Sequence, residues 1–98
     1  MSAARWGRLV DTLKTAGVES SVNERPYLGG TSRQIVLRGP LGVVTVMDQS
    51  WRKNRDVWIG WEVDLEGPDG LTVRTWPITK KRAEVAAAVQ EALGALKD

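Results

Sequence analysis

Between Val57 and Leu65 the chain places an apolar side chain at every second position. Side chains of a β-strand point alternately to the two faces of a sheet, so this series shares one face. We expect that face to lie against the core, with Trp61 at its centre. The intervening residues, Trp58 among them, then point to the opposite face. The series is Val57, Ile59, Trp61, Val63 and Leu65.

The rest of the chain predicts three more strands and two helices. Apolar residues recur at helical spacing in residues 3–16 and 79–96, and Thr79 is the expected N-cap of the second helix. The strands are expected at residues 33–38, 41–47, 57–65 and 71–76, and residues 18–23 are left open as a further short strand. Residues 1–98 then form a single α+β domain, a four-stranded antiparallel meander flanked by an N-terminal and a C-terminal helix in the order α-β-β-β-β-α.

The hairpin segment EGPDG sets the expected partners of the last strand. Pairing Leu65 with Leu71 places Val73 on the core face and Trp76 on the outer face, beside Trp58. The preceding hairpin adds aliphatic residues to the outer face. A face this apolar is expected to be covered by a helix or a second copy of the chain, or to serve as a ligand platform. The candidate interface residues are Val36, Val43, Met47, Trp58 and Trp76.

The same antiparallel order separates the charges. In a meander, the connections at residues 24–32, 48–56 and 77–82 fall at one end of the sheet, which we call the basic end. Most of the cations collect there, although the formal net charge is only +2. The candidate anion-binding residues are Arg33, Trp51, Arg52, Lys53, Arg55, Lys80, Lys81 and Arg82.

Three of these cations, Lys80, Lys81 and Arg82, are expected in the first turn of the last helix. The helix dipole disfavours positive charge at that position. A phosphate or carboxylate site at the helix start would account for them. The alternative is a solvated turn in which acids such as Glu84 balance the lysines.

Residues 79–93, TKKRAEVAAAVQEAL, resemble the last helix of double-stranded RNA-binding domains. In that family a Ser/Thr-Lys-Lys opening begins an alanine-rich helix that follows an antiparallel sheet, and the lysines contact phosphates. The resemblance implies phosphate contacts for Lys80 and Lys81. It covers this helix alone, and the family's loop histidine has no counterpart because the chain contains no histidine.

Other chemistries are disfavoured by composition. With no histidine and no cysteine, the chain lacks the commonest general base, a thiol nucleophile and the usual zinc ligands, so we do not expect an enzyme. Glu62 and Asp64 share a face, but Arg74 and water are their expected partners, and we expect no metal or cofactor. There is no secretory signal and no apolar run near the ~20 residues of a membrane helix, so we expect a cytoplasmic protein without a membrane partner.

Two hypotheses for a small non-enzymatic binding protein follow. In the first, the basic end binds nucleic acid or another polyanion, with Trp51 and Trp58 stacking on bases. In the second, the chain is a protein-interaction module that forms a homo-oligomer through the outer face of its sheet. The sequence leaves both open.

Overall fold

A computed structural model of the chain describes residues 2–28, 30–51 and 54–96. Side chains are described in these ranges except at residues 2, 3, 27, 30, 31, 51 and 54–56. Two helices enclose the strands in sequence. The elements are α1 (Ser2–Thr15), β1 (Val22–Tyr27), β2 (Gly30–Gly39), β3 (Gly42–Trp51), β4 (Asn54–Glu66), β5 (Thr72–Thr75) and α2 (Arg82–Ala95).

The strands form one antiparallel sheet in the order β1-β2-β3-β4-β5. The predicted α+β class and meander are confirmed, but the sheet has five strands rather than four. The additional strand, β1, pairs with β2 from Val22↔Ile35 to Tyr27↔Gly30. Its sequence, VNERPY, is a weak strand signal because charged residues and proline are depleted in strands. An edge strand tolerates Pro26, since one side of it needs no ladder.

The core lies between the sheet and the two helices, which pack on the same sheet face. Helix α1 contributes its predicted apolar stripe, and α2 adds Val85 and Val89. Trp61 is 1% exposed, which confirms its predicted place in the core. The sheet residues of the core include Ile35, Val44, Val46, Trp61, Val63 and Leu65.

After β5 the chain continues alongside β4 and bridges it at Trp61, next to Gly60. The N–H of Trp61 donates to the carbonyl of Thr79 at 2.8 Å, and the N–H of Thr79 donates to the carbonyl of Trp61 at 3.0 Å. Gly60 has φ +140°, and a Cβ there would lie 2.7 Å from the Thr79 oxygen and 2.8 Å from Cγ2 of Ile78. Only glycine permits this backbone conformation and this close approach together.

The register of β5 differs from the predicted one. Leu65 lies opposite Arg74 instead of Leu71, and Asp64 lies opposite Thr75. A displacement by an odd number of residues reverses the faces of a strand. Val73, predicted in the core, is therefore 68% exposed, and Trp76, predicted on the outer face, is 9% exposed within the core.

The turn before β5 and a β-bulge together explain the displacement. The turn pairs Glu66 with Thr72, a shift of two residues that would keep the faces, and the bulge between Leu65 and Glu66 adds the third. The N–H of Gly67 donates to the carbonyl of Leu71, and the Asp69 carboxylate accepts the N–H of Leu71. Leu71 consequently belongs to the turn, 68% exposed, and cannot pair with Leu65. The bulge places one extra residue, Val73, in β5, so the much larger apolar surface of Trp76 is buried in its place.

Trp76 also satisfies its polar atom in this register. Its Nε1 donates to Oε1 of Glu91 on α2 at 3.1 Å, and the Arg74 guanidinium lies 4.3 Å from its ring centroid. Arg74 completes the group by pairing with Glu91 at 3.2 Å. The hydrogen bond from Trp76, together with the charge of Arg74, holds the pKa of Glu91 below its ordinary value.

A second irregularity redirects Trp58. Gln49 lies opposite Gly60, but Ser50 lies opposite Trp58, so β4 carries one extra residue between these pairs. Such a β-bulge interrupts the alternation of side chains. The Trp58 ring therefore meets the Trp61 ring, with centroids 5.5 Å apart, and does not lie on the outer face as predicted. Val57, predicted in the core, is 47% exposed for the same reason.

The observed register makes a testable distinction between two residues of the last strand segment. Trp76→Ala should lower the free energy of unfolding by about 3–5 kcal/mol, because it leaves a cavity under α2. Val73→Thr should change it by less than about 0.5 kcal/mol, because the side chain is exposed. Urea denaturation of both variants gives the comparison. A larger loss for Val73→Thr would contradict the observed register.

Candidate functional site

Two cations gather on the indole of Trp58. The guanidinium carbon of Arg5 lies 4.0 Å from the ring centroid, and Nζ of Lys80 lies 6.0 Å from it. These are the distances of cation–π contacts, which add roughly 0.5–1 kcal/mol at exposed sites. We call Arg5, Trp58 and Lys80 the Trp58 cluster.

The cluster rests on the tryptophans of the core. Trp58 packs edge to face on Trp61, and Trp61 packs in the same way on Trp6 of α1, with centroids 4.7 Å apart. Arg5 precedes Trp6, so the burial of Trp6 sets the position of Arg5 near Trp58. Lys80 follows Thr79, whose backbone is bonded to Trp61. Each member of the cluster is thus placed by a neighbour that the core holds.

At the start of α2, the nearby acid Glu84 contacts Thr79. The N-cap residue is Lys81, with no side-chain cap, so the predicted N-cap, Thr79, is two residues too early. The Thr79 hydroxyl accepts the N–H of Lys81 and donates to the carboxylate of Glu84. Glu84 is therefore engaged with Thr79 rather than with a lysine.

Exposed cations remain around this helix start. Lys80, Lys81 and Arg82 are all exposed. The ion pairs found within the described ranges join Arg33 to Glu24 and Arg74 to Glu91, and none involves these three residues. The alternative, in which acids such as Glu84 balance the lysines, would require ion pairs. Among the described residues no ion pair involves these lysines.

Of the other predicted anion-binding residues, Arg33 lies away from the Trp58 cluster, and the side chains of the rest are not described. Arg33 sits in β2 opposite Glu24 and pairs with it at 3.0 Å, 25% exposed. Arg52 and Lys53 lie outside the described residues. Trp51 and Arg55 lie within β3 and β4, but their side chains fall outside the description. The structure thus joins Lys80 to Trp58, which was predicted for the interface, and adds Arg5.

Arg5 was not predicted, because the candidate cations were taken only from the loops of the sheet and from the start of the second helix. A signal was present in the sequence, since Arg5 directly precedes the first residue of the α1 stripe. It could be used only once Trp58 was known to turn toward the helices. That turn depends on the bulge in β4.

The outer face carries a different set of groups. Val36, Val43 and Met47 lie there as predicted, each half-buried, and Thr45 between them is 8% exposed. The predicted pair of Glu62 with Arg74 is wrong, because the register places Arg74 on the helix side with Glu91.

Two carboxyl groups on the outer face share one environment. Burial raises the pKa of Glu62, and the charge of Asp64 and a hydrogen bond with its carboxylate raise it further, against a smaller opposing effect of Gln49. One oxygen of Asp64 is buried with no hydrogen-bond partner among the described residues. Within those residues, no group of three or more acidic side chains is arranged to hold a metal ion.

Comparison of the chain with protein-family models, with curated proteins and with solved structures found no match. The resemblance to double-stranded RNA-binding domains therefore stays confined to residues 79–93. In the described part of the chain, neither helix is long and apolar enough to cross a membrane.

The raised pKa of Glu62 predicts a pH dependence of stability. A raised folded-state pKa means that the favourable contribution is complete below the ordinary glutamate pKa and is lost as pH rises through the raised value. Glu62→Gln should remove this loss, so the variant should exceed the parent in stability at neutral pH and approach it in acid. Denaturation curves between mildly acidic and neutral pH measure the difference.

Glu19→Gln, a substitution of the same kind on an exposed segment, is the control and should follow the parent. A Glu62→Gln curve parallel to that of the parent over the whole range would contradict the assigned pKa direction.

Proposed function

We propose that this protein binds polyanions, nucleic acids in particular, through its basic end. The observation that supports this most directly is the Trp58 cluster beside a helix start whose cations have no internal acid partner among the described residues. The site comprises Arg5 and Lys80 on the indole, with Lys81 and Arg82 next to them.

Holding a cation on an indole favours phosphate binding. A guanidinium stacked on a ring keeps its N–H groups directed outward in one plane, the geometry that pairs with two phosphate oxygens. Its side chain is partly ordered before the ligand arrives, so less conformational entropy is lost on binding. Arg5 covers the ring of Trp58, so we assign Trp58 the role of positioning cations instead of stacking on bases.

The helix start adds a second set of donors. The first N–H groups of α2 have no partner within the helix, and the positive end of the dipole faces the same place. A phosphate there would relieve the repulsion between the dipole and Lys81 and Arg82. The resemblance of residues 79–93 to a phosphate-contacting helix points the same way.

The β3–β4 hairpin extends the proposed surface. Its last described pair is Trp51↔Asn54. Arg52 and Lys53 lie between these two residues in the sequence and outside the described residues. These residues, with Arg55, are predicted to contact further phosphates. Trp51 is the residue predicted to stack on a base, and this contact is what would distinguish nucleic acid from a simple polyanion.

Reversal of two lysines tests the proposal. Lys80→Glu/Lys81→Glu should weaken binding of a labelled single-stranded oligonucleotide by about tenfold or more, and the slope of affinity against salt should fall by about one for each phosphate that is no longer bound. Stability should stay level or rise slightly, because negative charge suits the helix start. Fluorescence anisotropy at several salt concentrations and thermal denaturation provide the two readings.

Lys14→Glu is the charge-reversal control, because Lys14 is exposed in the last turn of α1. It should change affinity by less than about twofold, the effect of net charge alone. Unchanged binding by the double variant, with reduced stability, would show that the lysines serve the fold. Equal binding of inorganic polyphosphate and oligonucleotide would reduce the proposal to a general polyanion site.

A further inference from the structure

We propose that two copies of this chain pack their outer sheet faces together, related by a two-fold axis that runs parallel to β3. This surface lies on the opposite side of the sheet from the helices, and the inference does not depend on anion binding at the Trp58 cluster. It commits to a second copy as the partner because that symmetry operation brings Arg38 of each copy opposite Glu66 of the other.

The outer face carries apolar side chains among its polar ones. Both helices that the structure describes pack on the other side of the sheet. Val36, Val43 and Met47 are half-buried on the outer face, and Val73 adds a side chain that is 68% exposed. Groups of this kind on an uncovered sheet usually mark an interface.

In two of the three rows of this face the residue types are sorted by strand, and the row between them reads Val36, Thr45, Asp64. One row across the sheet reads Arg38, Val43, Glu66, from β2 through β3 to β4. A second row reads Gln34, Met47, Glu62. In each of these two rows the donor is on β2, the apolar residue is on β3, and the carboxylate is on β4.

A two-fold axis parallel to β3 places the donors of one copy opposite the carboxylates of the other in these two rows. It keeps each row at its height and exchanges left and right, so β4 of one copy lies over β2 of the other. Arg38 then faces Glu66 of the second copy, and the symmetry repeats the pair. Val43 meets Val43 of the second copy, and Gln34 faces Glu62 of the second copy as a hydrogen-bond donor.

The alternative axis, perpendicular to the strands, is disfavoured by the same charges. It would place β4 on β4, with Glu66 of one copy near Glu62 of the other. Repulsion between like charges in an interface costs several kcal/mol. The distribution of charge therefore selects the parallel arrangement, which matches the nearly aligned packing of β-sandwiches.

Sheet twist leaves these pairs within reach. Packed sheets cross at about 30°, which displaces strands about 4.8 Å from the axis by only about 2.5 Å along their length. An arginine side chain covers that displacement. The middle row is less favourable, since it places Asp64 over Val36 of the second copy and desolvates a carboxylate.

The expected dimer is weak. The shared face measures about 20 Å by 20 Å from strand spacing and rise, which is at the small end of specific interfaces. With the unfavourable middle row, we expect a dissociation constant in the micromolar range. Association should therefore be visible at high protein concentration and reversible on dilution.

Charge reversal followed by mixing tests the arrangement. Arg38→Glu alone places glutamate against Glu66 of the second copy, and Glu66→Arg alone places arginine against Arg38 of the second copy. Each variant should therefore associate at least about tenfold more weakly than the parent. In an equal mixture both contacts become complementary, and a heterodimer should form within about threefold of the parental affinity.

Sedimentation velocity of the full chain from low to several hundred micromolar measures all four samples. Arg8→Glu, exposed on α1, is the control and should associate like the parent. Should a reversal variant fail to fold by circular dichroism, Arg38→Gln and Glu66→Gln replace the pair, and each should still weaken association.

A parent that stays monomeric at the highest concentration would overturn the proposal. So would a parental dimer that neither variant weakens, because its interface would lie elsewhere. Loss of association in both variants without recovery on mixing would overturn the two-fold arrangement and indicate a different partner for this face.

Discussion

The paired backbone hydrogen bonds between Trp61 and Thr79 govern the arrangement of the whole helix side of this protein. They tie the segment after β5 to the most buried strand, which fixes where α2 begins. They also require Gly60, because any side chain there would meet the backbone of Thr79. Because Lys80 directly follows Thr79, its ammonium group is held near the indole of Trp58.

The structure describes the side chains of four of the five tryptophans, and these four have different roles. Trp6 and Trp61 are core residues in edge-to-face contact. Trp76 fills the space beneath α2 and bonds its Nε1 to Glu91. Trp58 lies where the core meets solvent, so one part of it packs on Trp61 while its ring face receives Arg5.

Strong periodicity made part of this fold predictable. The stripe of α1, the inward side of Trp61 and the meander order all follow from spacing that persists over many residues. Local deviations were not predictable. The β-bulge that follows the turn held by Asp69 moved Val73 and Trp76 to opposite faces from those expected, and the bulge in β4 did the same for Trp58. A single extra residue in a turn or strand reverses every later side chain, and no periodicity signals it.

The candidate site, like the fold, was only partly predictable from the sequence. Lys80, Lys81 and Arg82 were predicted in the first turn of the last helix, but the helix begins at Arg82 with Lys81 as its N-cap, and their role in anion binding stays a prediction. Arg5 was not, because its contact with Trp58 joins residues far apart in the chain. The two proposed surfaces lie on opposite sides of the sheet, so they can operate together. A dimer through the outer faces would present two basic ends, and a long polyanion that reached both would bind with avidity.

The central claim is that the cations held on Trp58 form the anion-binding site. Indole N–H resonances in proton–nitrogen correlation spectra test it, with a short single-stranded oligonucleotide added at low salt. The account predicts that the Trp58 resonance shifts to saturation and returns when salt is raised, because counterion release drives binding. The Trp76 resonance, bonded to Glu91 within the fold, should stay in place. Saturable binding that leaves Trp58 unmoved, or no binding at low salt, would contradict the claim.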